Sequence, residues 1–228
     1  MKRIMSILTA VFMSVGLLSV NVRAEGNPKI SISGSLWIYD ETASGEGWNF
    51  SRNGTEGTLE LTKTDITGEI GIYATDMNLT IILTGANKVT GTAAAGINVS
   101  GNLTITGDGS LNVSGASGYG IKCKGTLTFS GNITVTAISP SYAMKADGGF
   151  SIGEGLGIVS PEGARISDDG TTIVNKDDDN VIEATIGPET VTITFDANGA
   201  SSVPEPQTIV KGGKATQPDL FQIGRAHV

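Results

Sequence analysis

A repeat of about 24 residues in the middle of the chain constrains the fold more than any other feature. Four segments share a small residue, an apolar residue, a variable residue and a second small or apolar residue: Gly71-Ile72-Tyr73-Ala74, Gly96-Ile97-Asn98-Val99, Gly120-Ile121-Lys122-Cys123 and Ala143-Met144-Lys145-Ala146. They recur at spacings of 25, 24 and 23 residues. A fixed period of this length is typical of a solenoid, in which each repeat forms one coil.

Each repeat also contains two further segments in which apolar and polar residues alternate. The second column holds Leu79-Thr80-Ile81, Leu103-Thr104-Ile105, Leu127-Thr128-Phe129 and Phe150-Ser151-Ile152, and the third holds Asn87-Lys88-Val89, Leu111-Asn112-Val113, Ile133-Thr134-Val135 and Leu156-Gly157-Ile158. Turn-forming Gly, Asn, Asp and Ser separate the segments. Three strands make one coil, and coils become stable by stacking. The sequence predicts an all-β fold, a right-handed parallel β-helix of about four clear coils of 23–25 residues, over residues 69–174.

The columns also predict which side chains face the interior, because alternate residues of a strand point to the same side. One inward ladder should contain Ile72, Ile97, Ile121 and Met144, and the next should contain Ala74, Val99, Cys123 and Ala146. Cys123 is therefore predicted to be a small buried residue, and the alternative is a reactive thiol. As the only cysteine, it also excludes an intramolecular disulfide framework.

Composition agrees with this fold, since 32 residues are Gly, 17% are charged and 5% are aromatic. Such values argue against an ordinary helical or α/β enzyme.

The first 24 residues have the layout of a secretory signal peptide. Lys2 and Arg3 precede an apolar run, and a cleavage site of the small-residue type is predicted after Ala24. The alternative is an uncleaved membrane anchor. The signal peptide predicts export to the cell envelope, the cell surface or the extracellular space. No second apolar stretch of spanning length follows, so the mature chain is predicted to have no transmembrane span. Cleavage leaves 12 basic and 23 acidic residues, a net charge of −11, which disfavours nucleic acid as a partner.

The segments that flank the repeat are less regular. Residues 25–68 contain strand-like runs with a different spacing and are predicted to be an irregular β cap segment, in which Trp37 and Trp48 provide packing or, alternatively, a ligand platform. Residues 175–190 are predicted to be a linker. Asp177, Asp178 and Asp179 lie in this linker, where a solvated loop is favoured over a calcium site because a calcium loop needs acidic residues alternating with Gly.

Residues 191–222 are predicted to form an incomplete C-terminal β module. The runs Thr194-Phe195-Asp196-Ala197-Asn198-Gly199 and Val210-Lys211-Gly212-Gly213-Lys214-Ala215 resemble the Listeria-Bacteroides repeat, the internalin-B-type repeat of bacterial envelope proteins. The resemblance covers residues 191–218 and stops at Asp219, because the Gly-Tyr and Gly-Trp half of that family is absent. Residues 223–228 read like a translated sequencing adapter, an artefact that includes the only histidine, His227.

The coils also resemble the β-helical, carbohydrate-binding-annotated segments that accompany internalin-B-type repeats in bacterial surface proteins. That resemblance covers residues 48–158 and implies a carbohydrate-binding β-helix. Some β-helices are polysaccharide lyases or hydrolases, and such enzymes need acidic residues on neighbouring coils. Here the outward position runs Asp76, Ser100, Lys124, Asp147, so two carboxylates lie three coils apart, about 14 Å. We therefore predict no catalytic residues, no metal site and no cofactor.

Tyr119 and Tyr142 form the best candidate binding feature. They precede the first strand of successive coils, and Lys122 and Lys145 should share the same outward face. Aromatic rings beside ammonium donors suit a glycan, and the alternative is an ordinary external stacking ladder. The sequence thus predicts a non-catalytic, exported surface protein, a stalk or adhesion module that binds glycans or a host or cell-wall surface. The alternative is a carbohydrate-active enzyme or its accessory binding domain.

Overall fold

The structure, a computed structural model, describes residues 27–34, 37–196 and 203–216. The predicted signal peptide, residues 197–202 and 217–222 of the predicted repeat and residues 223–228 lie outside these residues. Within them the chain forms strands and turns and no helix, and hence none long and apolar enough to cross a membrane. The strands are β1 (Lys29–Ile32), β2 (Trp37–Ile38), β3 (Thr42–Gly45), β4 (Trp48–Asn53), β5 (Glu56–Thr62), β6 (Asp65–Gly68), β7 (Ile72–Thr75), β8 (Asn78–Gly91), β9 (Ile97–Val99), β10 (Leu103–Gly115), β11 (Tyr119–Cys123), β12 (Leu127–Phe129), β13 (Thr134–Ile138), β14 (Tyr142–Ala146), β15 (Phe150–Ile152), β16 (Leu156–Ser160), β17 (Arg165–Ile166), β18 (Ile173–Val174), β19 (Glu183–Pro188), β20 (Thr190–Ile193) and β21 (Gln207–Val210).

Two sheets share one core and form a parallel β-helix of about four turns, as the repeat predicted. Sheet A has the strand order β14-β11-β9-β7-β1-β2. Sheet B has the order β16-β19-β13-β10-β8-β5-β4-β3, with β6, β12 and β15 pairing beside this path. The predicted right hand of the helix stays a prediction.

The inward ladders of sheet A are confirmed. Parallel pairing places Ile72 beside Ile97, Ile97 beside Ile121 and Ile121 beside Met144, and all four side chains are fully buried. The neighbouring ladder, which ends in Cys123 and Ala146, is buried as completely. Each large aliphatic side chain removed from water in this way stabilises the fold by about 1.5–3 kcal/mol.

The second and third predicted strands of the first two coils merge into the long strands β8 and β10, which pair in register along their whole shared length. In place of the predicted break, each strand contains a glycine with a positive φ, Gly85 in β8 and Gly107 in β10. Gly107 has a φ of 117°, and a Cβ at this position would lie 2.4 Å from the carbonyl oxygen of Leu83. Only glycine fits such a conformation and such a close approach of two backbones.

The predicted third column is wrong in its last two coils. Leu111 pairs with Val135 and Val113 with Ala137, so the true register lies two residues later than predicted. A shift of two residues keeps the same faces buried, which is why alternation alone did not reveal it. In the last coil, Ile158 does not stack on β13, because an antiparallel strand lies between them.

That intervening strand is β19, in the segment predicted to be a linker. It pairs antiparallel with both β13 and β16, and its Ala184 and Ile186 are fully buried. Residues 183–188 therefore belong to the sheet, and the linker prediction is corrected there. The alternation of Ala184 and Ile186 was hidden by the charged run that precedes it.

The opposite end of the stack is covered by residues that were assigned to the cap. There β1 pairs antiparallel with β7, and β4 pairs antiparallel with β5. However, β5 and β6 run parallel to β8, in register with it, so they form part of a coil below the predicted start at residue 69. Farther along the chain, β20 and β21 form an antiparallel hairpin in the predicted β module.

Replacing an inward residue should cost far more than replacing its outward neighbour. We expect Ile97→Ala to lower the free energy of unfolding by about 2–5 kcal/mol, because it leaves a cavity between Ile72 and Ile121. The control Asn98→Ala, on the outer face of the same strand, should change it by less than about 0.5 kcal/mol. Urea unfolding followed by circular dichroism measures both, and equal losses would contradict the assigned faces.

Burial should make the Cys123 thiol unreactive and should make the stability of the fold decrease at alkaline pH. Desolvation, with a smaller contribution from Asp147, raises the pKa of the thiol from 9.0 to about 12. Below pH 9 the thiol is protonated in both the folded and the unfolded state. Between pH 9 and pH 12 only the unfolded chain loses this proton, so the free energy of unfolding falls by about 1.4 kcal/mol per pH unit. Unfolding of the wild type and of Cys123→Ala at several pH values measures this difference, and identical slopes would contradict it. Thiol reagents should label the wild type only in denaturant.

Candidate functional site

Tyr119 and Tyr142 lie on the outer face of sheet A, on adjacent strands. They are direct neighbours in the parallel register of β11 and β14. Their ring centroids are 5.4 Å apart, and the ring planes differ by 24°, so the rings are stacked. Each tyrosine is the first residue of its strand, and its ring is half-buried. The structure therefore brings both predicted residues together as the repeat suggested.

Lys122 and Lys145 complete the same group. They pair in the same register, and each ammonium lies over the tyrosine ring of its own coil. The Nζ of Lys122 is 4.7 Å from the centroid of Tyr119, and that of Lys145 is 5.9 Å from the centroid of Tyr142. Each cation–π contact contributes about 0.5–1 kcal/mol at an exposed site. We call these four residues the first aromatic–lysine cluster.

The electrostatic surroundings of the two lysines differ. Lys145 lies 3.8 Å from a carboxylate oxygen of Asp147. Asp169 also lies near it: the pKa of the Asp169 carboxyl is held below its usual range mainly by hydrogen bonds from Ser167 and Thr171, with a smaller effect of Lys145. Lys122 forms no ion pair with any residue that the structure describes. Its ammonium is the more available hydrogen-bond donor of the two.

The stacked geometry determines what the cluster can contact. One face of each tyrosine ring lies against the other ring, and the ammonium of Lys122 lies over Tyr119. The stack therefore holds two ammonium groups, two phenol hydroxyls and the edges of both rings side by side on the outer face of sheet A. This set offers hydrogen bonds to hydroxyl groups and apolar contact to C–H groups, which is the chemistry that a sugar ring requires.

The outer face continues beyond the predicted residues. Lys122 has Asn98 as its neighbour on β9, and Asn98 has Tyr73 as its neighbour on β7. Tyr73 in turn contacts Trp37 of the edge strand β2, with ring centroids 5.1 Å apart. Trp37 was expected to provide cap packing, and it does contact the cap strands, yet 36% of its surface is exposed. Trp48 packs against the core instead.

Sequence reasoning missed Lys29 as a member of this face. Its Nζ lies 4.5 Å from the Trp37 ring centroid and 5.7 Å from that of Tyr39. The alternation of polar and apolar residues in Lys29-Ile30-Ser31-Ile32 was a usable signal for an outward lysine. The antiparallel pairing of β1 with β7, which places it on sheet A, could not be deduced from that signal.

Several other charged side chains beside the coils form hydrogen bonds or ion pairs within the protein. Asp108 accepts a hydrogen bond from Asn132, and Arg165 pairs with Asp168 and Asp178. Among residues 27–34, 37–196 and 203–216, no group of three or more His, Cys, Asp or Glu side chains is arranged to hold a metal ion.

Comparisons with protein-family models, with curated proteins and with solved structures found no match. The internalin-B-type and carbohydrate-binding resemblances therefore stay expectations, and the geometry of sheet A is the observation from which function is argued.

The tyrosine stack should contribute to stability as well as to any binding. In a double-mutant cycle with Tyr119→Ala and Tyr142→Ala, we expect a coupling free energy of about 0.5–1.5 kcal/mol, because the rings contact each other directly. Urea unfolding of the two single variants and the double variant gives this value. Additive losses would show that the rings do not interact in solution.

Proposed function

We propose that this chain is a non-catalytic, exported cell-surface protein, in which the β-helix serves as a stalk or adhesion module and binds glycans through Tyr119, Tyr142, Lys122 and Lys145. One observation carries the proposal: two aromatic rings and two ammonium groups repeat in register on successive coils. The signal-like residues 1–24 support export, and the envelope-type resemblance of residues 191–218 supports a surface location.

The backbone under the cluster is held on both sides, which favours binding. Strand β11 pairs with β9, and β14 donates hydrogen bonds to the chain that follows it: Ala143 N–H donates to the Val181 carbonyl, and Ala146 N–H donates to the Thr171 carbonyl. Side chains on a rigid sheet lose less conformational entropy on binding than side chains on a loop. A preorganised row of this kind suits the weak individual contacts that a sugar makes.

The alternative to a binding module is a polysaccharide lyase or hydrolase, or its accessory binding domain. Hydrolysis of a glycosidic bond needs two carboxyl groups close enough to act on one bond. Asp76 and Asp147, the carboxylates in the outward column beside sheet A, belong to coils three apart. Lys145 also pairs with Asp147. This arrangement favours binding over cleavage.

Glycan-array binding tests the proposal. The wild type should bind a subset of glycans, and Tyr119→Ala with Tyr142→Ala should reduce that signal at least tenfold, because both outward rings are removed. The matched control is Thr128→Ala with Ser151→Ala, an adjacent outward pair on sheet B of the same two coils. The control should bind as the wild type does.

Circular dichroism should show that both double variants are folded. Unchanged glycan binding by the tyrosine variant, or the absence of any glycan bound by the wild type, would overturn the proposed function.

A further inference from the structure

The aromatic residues of this protein are distributed unevenly over its surface. The chain has four tyrosines and two tryptophans, and all four tyrosines and Trp37 lie on sheet A or directly beside its edge strand. The outward columns of sheet B contain small and polar residues instead, for example Thr80, Thr104 and Thr128. An external ladder required only for stacking would not need to concentrate every tyrosine on one sheet.

A second group on sheet A repeats the composition of the first. Ser31 lies between Trp37 and Tyr73 in the register, and its small side chain lets the two rings meet above it, at an interplanar angle of 53°. Lys29 places its ammonium over Trp37 and near Tyr39. We call Lys29, Trp37, Tyr39 and Tyr73 the second aromatic–lysine cluster. Like the first, it combines ring surface with an ammonium group.

The two clusters form one continuous face. A single row runs across the strands through Trp37, Ser31, Tyr73, Asn98, Lys122 and Lys145. Asn98 joins the clusters, and its amide can donate and accept hydrogen bonds. From β2 to β14 the row crosses five strand spacings, about 24 Å. This length exceeds that of a single sugar ring.

We propose that the second cluster is a further binding subsite and that the ligand is a linear polysaccharide, which lies across strands β2 to β14 and contacts both clusters. This inference rests on the proposed glycan-binding function and extends it. The exposed ring surface of Trp37 offers an apolar contact to one end of the polysaccharide, and the tyrosine stack offers one to its other end. A ligand that occupies both clusters gains affinity because its second contact is intramolecular.

Isothermal titration calorimetry with cello-, chito- and oligogalacturonate series, each from dimer to hexamer, tests the inference. Wild-type affinity in at least one series should rise at least tenfold between dimer and hexamer. Trp37→Ala should abolish this gain, whereas Tyr142→Ala should weaken binding of both lengths. Ile182→Ala, which removes an exposed apolar side chain elsewhere, is the control and should keep the gain.

A direct readout avoids dependence on the stability of the Trp37→Ala variant. In a Trp48→Phe background, Trp37 is the only tryptophan, and its fluorescence should change with the hexamer and not with the dimer. No gain with length in any series, or a full gain in Trp37→Ala, would overturn the extended site. If Tyr142→Ala still weakens binding in that case, the proposed function survives; if no glycan binds at all, both fail.

Discussion

In-register parallel pairing between successive coils is the interaction on which the remaining features depend. The 24-residue period brings equivalent residues together, so each backbone pairs with the coil below and the coil above. The same register aligns Ile97 with Ile121 inside the helix and Asn98 with Lys122 outside it. A slip by one residue would exchange the two faces and place lysines in the core. The core and the proposed binding face are thus specified by one constraint.

Stacked coils leave unpaired strands at both ends, and this protein covers them with antiparallel strands. At the start, β1 and β4 reverse direction against β7 and β5. At the far end, β19 returns between β13 and β16. Such strands form hydrogen bonds with the unpaired backbone groups of the end coils and do not continue the solenoid. This limits edge-to-edge strand pairing between protein molecules. At the start, the covering strands also bring Lys29 and Trp37 onto sheet A.

Much of the fold could be predicted from the sequence because residues at equivalent positions of the repeat, although distant in the chain, are neighbours in the structure. Ile72, Ile121 and Cys123 were assigned to the interior on that basis, and the first cluster was assembled from two tyrosines and two lysines at one coil spacing. The third column failed at Val135, where alternation permits a shift of two residues. The caps failed for another reason: β1, β2 and β19 run against the repeat, so no periodic signal pairs Trp37 with Tyr73 or Ile186 with Val135.

An engineered disulfide tests the alignment of the outer face most directly. In a Cys123→Ala background, Asn98→Cys and Lys122→Cys place two thiols on neighbouring strands that pair in register, within the Cα separation of about 4.4–6.8 Å that a disulfide needs. Oxidation should link them, and mass spectrometry of a proteolytic digest should identify the linked peptides. Asn98→Cys with Thr104→Cys, whose positions lie on different sheets, should stay unlinked. Absence of the first link, or formation of the second instead, would contradict the stacked register and the proposed binding face that depends on it.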